Sequence, residues 1–142
     1  MKNKLFALFG LGLLLASASA YAQSINLKAN VPFNFALNGK TLPTGEYTIR
    51  SIDNMRNAAA ISGAEQKPLV LLTMPCLSPR NREISQESKL VFTRYGNTYF
   101  LSEVWIEGSG AGYSVPKSRL EHELQMAQKD TAHKVVVVAE LR

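Results

Sequence analysis

The sequence contains few of the residues from which most metal and covalent sites are built. Its 142 residues include one cysteine, Cys76, and two histidines, His122 and His133. A single cysteine excludes an intramolecular disulfide, so the apolar core has to hold the fold by itself. Neither histidine lies in a cluster of ligand residues, so the sequence predicts no metal and no other cofactor.

Cys76 lies in the apolar segment LVLLTMPCL, Leu69–Leu77. This setting favours a buried and inert thiol. An intermolecular disulfide and a reactive thiol are the alternatives that the sequence leaves open.

A concentrated basic patch and a membrane-spanning segment are also absent. The formal net charge of +5 is spread along the chain, whereas nucleic-acid binding needs basic residues gathered on one surface. The longest apolar run, Leu5–Leu15, has 11 residues, and a helix needs about 20 to cross a bilayer. We therefore expect no nucleic-acid partner and no transmembrane span in the mature chain.

The N-terminal residues follow the order of an export signal. Two lysines precede the apolar run Leu5–Leu15, and the small-residue segment ASASAYA follows it. Signal peptidase can cleave after Ala20 or after Ala22, and we favour Ala22. The expected organisation is a cleaved signal peptide over residues 1–22 and a single β-rich domain over 23–142, exported to the bacterial periplasm or the extracellular space.

Regular alternation marks the beginning of the expected domain. From Ile25 to Leu37 every second residue is apolar, which predicts a half-buried strand or two strands that share one face. Pro32 has no N–H for a ladder, so the strand is expected to bend there or to lie at an edge. Asn38-Gly39 and Leu42–Gly45 predict turns.

Four further strands are expected later in the chain. They cover Glu46–Ile52, Asn57–Ser62, Lys67–Met74 and His133–Leu141. Asn57–Ser62 is rich in alanine, so a short helix is its alternative. Lys67–Met74 is a continuous apolar run, which predicts a strand that is covered on both sides. His133–Leu141 is apolar on both faces, so we expect it to lie inside the sheet. The polar segment Ser78–Lys89 is expected to be a mobile surface loop.

The segment KLVFTRYGNTYFLSEVWIEG, Lys89–Gly108, predicts a β-hairpin. Gly96-Asn97 has glycine first, as in a two-residue type II′ turn. The register that follows pairs Phe92 with Leu101 and Arg94 with Tyr99.

The predicted hairpin has apolar residues on both of its faces. One face carries Leu90, Phe92, Arg94, Tyr99, Leu101, Glu103 and Trp105, and the other carries Val91, Thr93, Tyr95, Phe100, Ser102, Val104 and Ile106. The second face is the more continuously apolar and is assigned to the core. A helix predicted over 116–128 has a narrow apolar stripe, so we expect Leu120 and Leu124 to pack on the first, mixed face. If a ligand or partner covers that face instead, Arg94, Tyr99 and Trp105 line a candidate binding face.

The whole pattern predicts a mainly β chain. No linker and no internal repeat divides residues 23–142. About seven or eight closely spaced strands with one late α-helix are typical of a single-domain antiparallel β-sandwich or a partly closed β-barrel.

Three blocks of the sequence also carry a resemblance. VPFNFALNGKTLPTGEYTI, LVFTRYGNTYFLSEVW and PKSRLEHEL occur in this order across most of residues 23–142. They resemble a family of small exported bacterial proteins of unknown function, with the pattern V-P-F-x-F, L-P-x-G-x-Y, R-Y-G-x-x-Y-F-L and P-K-S-R. The resemblance implies a shared fold and export, and it brings no activity and no catalytic residue.

The sequence contains partial matches to two known catalytic motifs. His122–Met126, HELQM, has methionine where the zinc-protease motif needs its second histidine. Ser114 and Lys117 match S-x-x-K, but no K-T-G accompanies them, and Ser118 with Glu121 fits a helix cap. The sequence favours a non-enzymatic exported β-domain that binds a partner, a polymer or a small ligand. A small hydrolase-like enzyme with an unrecognised site and a purely structural envelope protein are the alternatives.

Overall fold

The computed structural model describes residues 26–52, 57–77, 85–108, 111–128 and 131–142. Within these ranges, only the backbone is described for residues 71, 72, 74–77 and 111. The expected signal peptide, residues 78–84 of the expected loop and the thiol of Cys76 lie outside the described part. What the sequence indicates about them stays a prediction.

Eleven strands and one helix make up the described part of the chain. The strands are β1 (Asn26–Val31), β2 (Phe35–Leu37), β3 (Lys40–Leu42), β4 (Gly45–Ser51), β5 (Ala58–Gly63), β6 (Leu69–Leu72), β7 (Met74–Leu77), β8 (Ser88–Tyr95), β9 (Thr98–Trp105), β10 (Ala111–Ser114) and β11 (Ala132–Leu141). The helix, α1 (Arg119–Ala127), follows β10 in the chain. The prediction of a mainly β chain with one late helix is confirmed.

The strands form a single sheet that curls into a half-barrel. Hydrogen-bonded neighbours follow the order β3-β2-β9-β8-β11-β1-β4-β5-β6, and β10 pairs with both β9 and β7. The β2–β9 pair is parallel, at Ala36 and Phe100, and the other pairs are antiparallel. One sheet that closes toward itself corresponds to the partly closed barrel of the predicted fold class.

Pro32 divides the predicted N-terminal strand into β1 and β2. Both strands turn their apolar residues to the same core, since Leu27, Ala29, Val31, Phe35 and Leu37 are each at most 5% exposed. The prediction of two strands that share one face is confirmed. The break falls where the missing proline N–H interrupts a ladder.

The Asn38-Gly39 turn joins β2 to β3, as predicted. The angle φ is +50° at Asn38 and +75° at Gly39, the left-handed values that a type I′ turn needs. Asn38 Nδ2 also donates to the carbonyl oxygen of Val70 on β6, over 2.8 Å. This bond ties one end of the strand order to the other and narrows the open side of the half-barrel.

Strands β6 and β11 are each partly exposed on one side. Val70 is 54% exposed, and Val136 and Val138 are 52% and 58% exposed. These valines alternate along their strands with Leu69 and Val137, which pack against the core. The prediction that β6 is covered on both sides is wrong, because a single curled layer covers its concave side and leaves much of its convex side in solvent. The prediction that β11 lies inside the sheet is confirmed, since β11 pairs with β8 on one side and with β1 on the other.

The β8–β9 hairpin has the predicted turn and the predicted register near its tip. Phe92 pairs with Leu101, and Arg94 pairs with Tyr99. The angle φ is +60° at Gly96, and Asn97 has no positive φ, as a type II′ turn requires.

A β-bulge interrupts this hairpin beyond its tip. Val91 pairs with Glu103, which leaves Ser102 on β9 without a partner on β8. Because side chains alternate along a strand, the extra residue moves the rest of β9 to the opposite face. The carbonyl oxygen of Ser102 accepts a hydrogen bond from Val115 N at 2.8 Å, next to the Ser114–Glu103 pair of β10 and β9.

The prediction that the face of Val91, Tyr95 and Phe100 belongs to the core is wrong. The inner face consists of Leu90, Phe92, Leu101 and Val104, all of them in the main core. The outer face consists of Val91, Tyr95, Phe100, Glu103 and Trp105. The sequence assigned Val104 to the core correctly but placed Val104 and Leu90 on different faces, because the register was continued without an extra residue. In the structure the two residues are direct cross-strand partners.

Helix α1 lies against the outer face rather than the mixed face expected from the sequence. Ser118 caps it, and its Oγ accepts from Glu121 N at 3.2 Å. Glu121 is 3% exposed and lies beside Tyr95, whereas Leu120 is 49% exposed. The predicted burial of Leu120 and Leu124 on the mixed face is wrong, because the inner face is already filled by the core. The described part of the chain has no helix with the length and hydropathy to cross a bilayer.

Candidate functional site

Arg94 and Tyr99 meet at one end of the half-barrel, on the continuation of the inner face. They are direct neighbours on β8 and β9, next to the hairpin turn. Arg94 Cζ lies 5.6 Å from the centre of the Tyr99 ring, and its Nε donates to the carbonyl oxygen of Gly96 at 2.6 Å. The guanidinium is therefore held over an aromatic face in a cation–π contact.

Phe33 completes the aromatic part of this site. Its ring stacks on Tyr99 with a centroid distance of 4.0 Å and an interplanar angle of 15°. It also meets Phe92 edge-on at 4.9 Å, so the stack rests directly on the core. Phe33 and Tyr99 are both half-buried, so part of each ring reaches the surface.

Local chemistry holds Phe33 in this position. Pro32 ends the β1 ladder, so the residues that follow it leave the strand path. Asn34 Oδ1 accepts from Thr44 N at 3.0 Å, which fastens this short connection to the turn before β4. Tyr47 donates its hydroxyl to Pro43 O at 2.6 Å and fixes the same turn from within the core.

His133 joins the site from β11. It is the direct cross-strand partner of Arg94, so the two side chains lie on the same face of the sheet. His133 is exposed and Arg94 is half-buried. We call Phe33, Arg94, Tyr99 and His133 the rim cluster.

The rim cluster carries positive charge, and no carboxylate of the described residues pairs with it. The ion pairs among the described residues join Lys28 to Glu46, Arg119 to Glu123, Lys134 to Glu103 and Arg142 to Glu140. Arg94 takes part in none of them. A cation held over an aromatic ring, with an imidazole beside it, can attract an anionic group.

Trp105 does not belong to this site. The sequence placed Arg94, Tyr99 and Trp105 on one face, and the structure brings only the first two together. The bulge at Ser102 turns Trp105 to the outer face, where it is 8% exposed and lies directly over Gly112 of β10.

On the outer face, Trp105 belongs to a polar network that crosses three strands. Its Nε1 donates to Glu103 Oε2 at 2.8 Å, and Lys134 Nζ on β11 donates to Glu103 Oε1 at 2.9 Å. Burial by itself would raise the pKa of Glu103. The hydrogen bonds from Lys134 and Trp105 and the charges of Lys134 and Lys89 outweigh burial, so the pKa of Glu103 lies below its ordinary value.

The catalytic motifs considered in the sequence do not assemble a site. Lys117 Nζ donates to Gln125 Oε1 at 2.9 Å, and Ser114 lies on β10. His122 and Met126 lie on exposed positions of α1. The described residues contain no group of three or more potential His, Cys, Asp or Glu metal ligands.

Sequence reasoning missed two members of the rim cluster. Phe33 was treated as one more residue of an alternating strand, although the proline before it was a signal that its position would differ. His133 was considered as an isolated histidine. Its pairing with Arg94 depends on β11 lying beside β8, which no local pattern indicates.

In comparisons with known proteins, no family model matches this chain, and no curated protein or solved structure is detectably similar to it. The resemblance to a family of small exported proteins therefore stays a prediction. The function has to be inferred from the geometry of the chain itself.

Proposed function

We propose that this chain is an exported, non-enzymatic β-domain that binds a small ligand with an anionic group and an apolar body at the rim cluster. The observation that supports this proposal most is the position of Arg94. Its guanidinium lies over the Tyr99 ring, its Nε is bonded to Gly96 O, and no carboxylate of the described residues is paired with it.

The chemistry of the cluster defines the ligand class. Arg94 and His133 supply N–H donors for a carboxylate or phosphate. The half-buried rings of Phe33 and Tyr99 supply an aromatic surface for the apolar part of the ligand. Stacked rings and a fixed guanidinium lose little conformational freedom on binding, which favours recognition over a shallow surface.

Benzoate is a suitable first probe because it combines one carboxylate with one ring. We expect a titration of the purified protein with benzoate, followed by ¹H–¹⁵N NMR, to shift the amides around residues 33, 94, 99 and 133. Benzyl alcohol lacks the charge and inorganic phosphate lacks the ring, so both should bind more weakly. The Arg94→Ala variant should bind benzoate about tenfold more weakly, as expected for the loss of one charge-assisted hydrogen bond.

Arg50→Ala is the matched control, since Arg50 is an exposed arginine on β4 that lies outside the cluster. It should bind benzoate like the unmodified protein. Two results would argue against the rim cluster and favour a structural role. One is that the NMR signals of the rim amides do not shift at high concentrations of benzoate and phosphate. The other is that the Arg94→Ala and Arg50→Ala variants bind benzoate equally well.

Export is part of the proposal and has its own test. It is supported by the order of charged, apolar and small residues before residue 23. Mass spectrometry of the protein from its native host should find Gln23 at the N-terminus, or Tyr21 if the alternative site is used. Intact Met1 on a cytoplasmic protein would contradict export.

A further inference from the structure

Glu121 is a carboxyl group buried where α1 meets the hairpin. It is 3% exposed, although the next residues of the helix, His122 and Glu123, are exposed. Its Oε1 has no hydrogen-bond partner in the part of the chain that the structure describes. Burial of a charge without full pairing costs free energy. The neutral form of this carboxyl is therefore favoured when α1 is docked.

Three titratable groups surround this carboxyl. Tyr95 faces it from β8, Lys117 lies on the segment before the helix, and His122 is the next residue of α1. Burial raises the pKa of Glu121 and is the largest effect. The charges of Lys117 and His122 and the hydrogen bond with Tyr95 act in the opposite direction without cancelling it. Burial and the nearby Glu121 also raise the pKa of Tyr95.

The rest of α1 offers little apolar attachment. Leu120 and Met126 are 49% and 75% exposed, and only Leu124 among the large apolar side chains of the helix is half-buried. Its end lies near the hairpin turn, where Gln128 Oε1 is 3.5 Å from the position that a Cβ on Gly96 would occupy. The contact between α1 and the outer face therefore depends strongly on the state of Glu121.

We infer that α1 is a latch on the outer face of the hairpin, closed when Glu121 is protonated and loosened when Glu121 ionises. In the loosened state the aromatic pair of Tyr95 and Phe100, whose rings meet at 5.8 Å, loses its cover. Glu121 and Tyr95 lie on the outer side of the hairpin, whereas the rim cluster lies on the inner face.

The direction of the pH effect follows from linkage. A carboxyl whose pKa is higher in the docked state binds its proton more tightly there. Docking is therefore strongest below the ordinary pKa of glutamic acid, weakens as pH rises through the raised pKa, and is constant above it. Acid conditions close the latch and neutral conditions loosen it.

Amide hydrogen exchange of α1, measured by NMR on the full domain, tests this inference. The Glu121→Gln variant mimics the protonated side chain at every pH. At each pH the ratio of α1 exchange rates in the unmodified protein and in Glu121→Gln removes the intrinsic pH dependence of exchange. We expect a ratio near one at about pH 4 and a several-fold higher ratio at about pH 7. The reason is that residue 121 can ionise in the unmodified protein but not in Glu121→Gln.

Two further variants keep the test decisive. Glu123→Gln changes an exposed carboxyl of the same helix, paired with Arg119, and should behave like the unmodified protein. Tyr95→Phe removes a group that stabilises the ionised carboxyl, so α1 should loosen more as pH rises. The latch is excluded if the ratio stays constant across this pH range, or if α1 in Glu121→Gln exchanges rapidly at every pH.

Discussion

The inner and outer faces of the β8–β9 hairpin are held by different forces, although they belong to the same two strands. The inner face packs Leu90, Phe92, Leu101 and Val104 into the core, each at most 3% exposed. The outer face combines buried rings with a polar network around Glu103 and with the buried carboxyl of Glu121. Stability on the inner face depends on volume and should be insensitive to pH, whereas the outer face depends on geometry and protonation.

Two carboxyl groups on the outer face have pKa values that are shifted in opposite directions. The pKa of Glu103 is lowered because Lys134, Trp105 and Lys89 outweigh its burial. The pKa of Glu121 is raised because burial dominates over its neighbours. One face therefore holds a carboxylate that stabilises when ionised and a carboxyl that stabilises when neutral.

Among the proposed variants, truncation of Phe92 should cause the largest loss of stability. It compares a core side chain with one on the convex surface. Phe92 is 0% exposed and contacts the rings of Phe33 and Phe35. Phe92→Ala should lower the free energy of unfolding by about 3–5 kcal/mol, measured by urea denaturation. Val136→Ala, at an exposed position of β11, should change it by about 0.5 kcal/mol or less. Similar losses in the two variants would contradict the assignment of the concave side as the core.

A methyl group on Gly112 should test the close packing of the outer face. The added Cβ would lie 2.6 Å from Trp105 Cε3 and 2.9 Å from Val104 O, and the latter is a backbone atom that cannot rotate away. Gly112→Ala should cost about 1–3 kcal/mol and should change Trp105 fluorescence. Gly63→Ala is the control, because its Cβ would meet only the Tyr47 ring at 3.1 Å and the cost should be smaller. Unchanged stability in the Gly112→Ala variant would mean that Trp105 does not lie over β10.

The polar network should give a smaller effect that depends on pH. Since the pKa of Glu103 is lowered in the folded protein, its contribution is present above its ordinary value of 4.5 and is lost as pH falls through the lowered value. Glu103→Gln should cost about 0.2–1 kcal/mol at neutral pH and nothing in strong acid. Urea midpoints of both proteins across the acid range measure this difference. A cost that does not change with pH would show that the network is not electrostatic.

Truncation of Leu120 should have the smallest effect. Because this side chain is 49% exposed, Leu120→Ala should lower the stability by about 0.5 kcal/mol or less. Leu124 is half-buried, so Leu124→Ala should cost more. Denaturation midpoints of both variants check the order. A larger loss of stability in Leu120→Ala than in Leu124→Ala would support the packing of Leu120 that the sequence suggested.

The local features of this protein could be predicted from short segments of the sequence. The alternation before Leu37, the turns at Asn38-Gly39 and Gly96-Asn97, and the cap at Ser118 all follow from neighbouring residues. Strand period, left-handed turn residues and N-caps depend on contacts within a few positions, so they can be read from the chain. The mainly β class and the register near the hairpin tip follow from the same local rules.

The grouping of side chains into sites depends on contacts between distant strands and could not be predicted from local patterns. The bulge at Ser102 coincides with a hydrogen bond from Val115, and it turns Trp105 away from Arg94. The rim cluster forms because β11 brings His133 beside Arg94 and the Pro32 break lets Phe33 stack on Tyr99. These contacts join residues far apart in the chain. A period-two pattern specifies which residues alternate, but a single extra residue in one strand reverses the face they occupy, and its position depends on partners from distant strands.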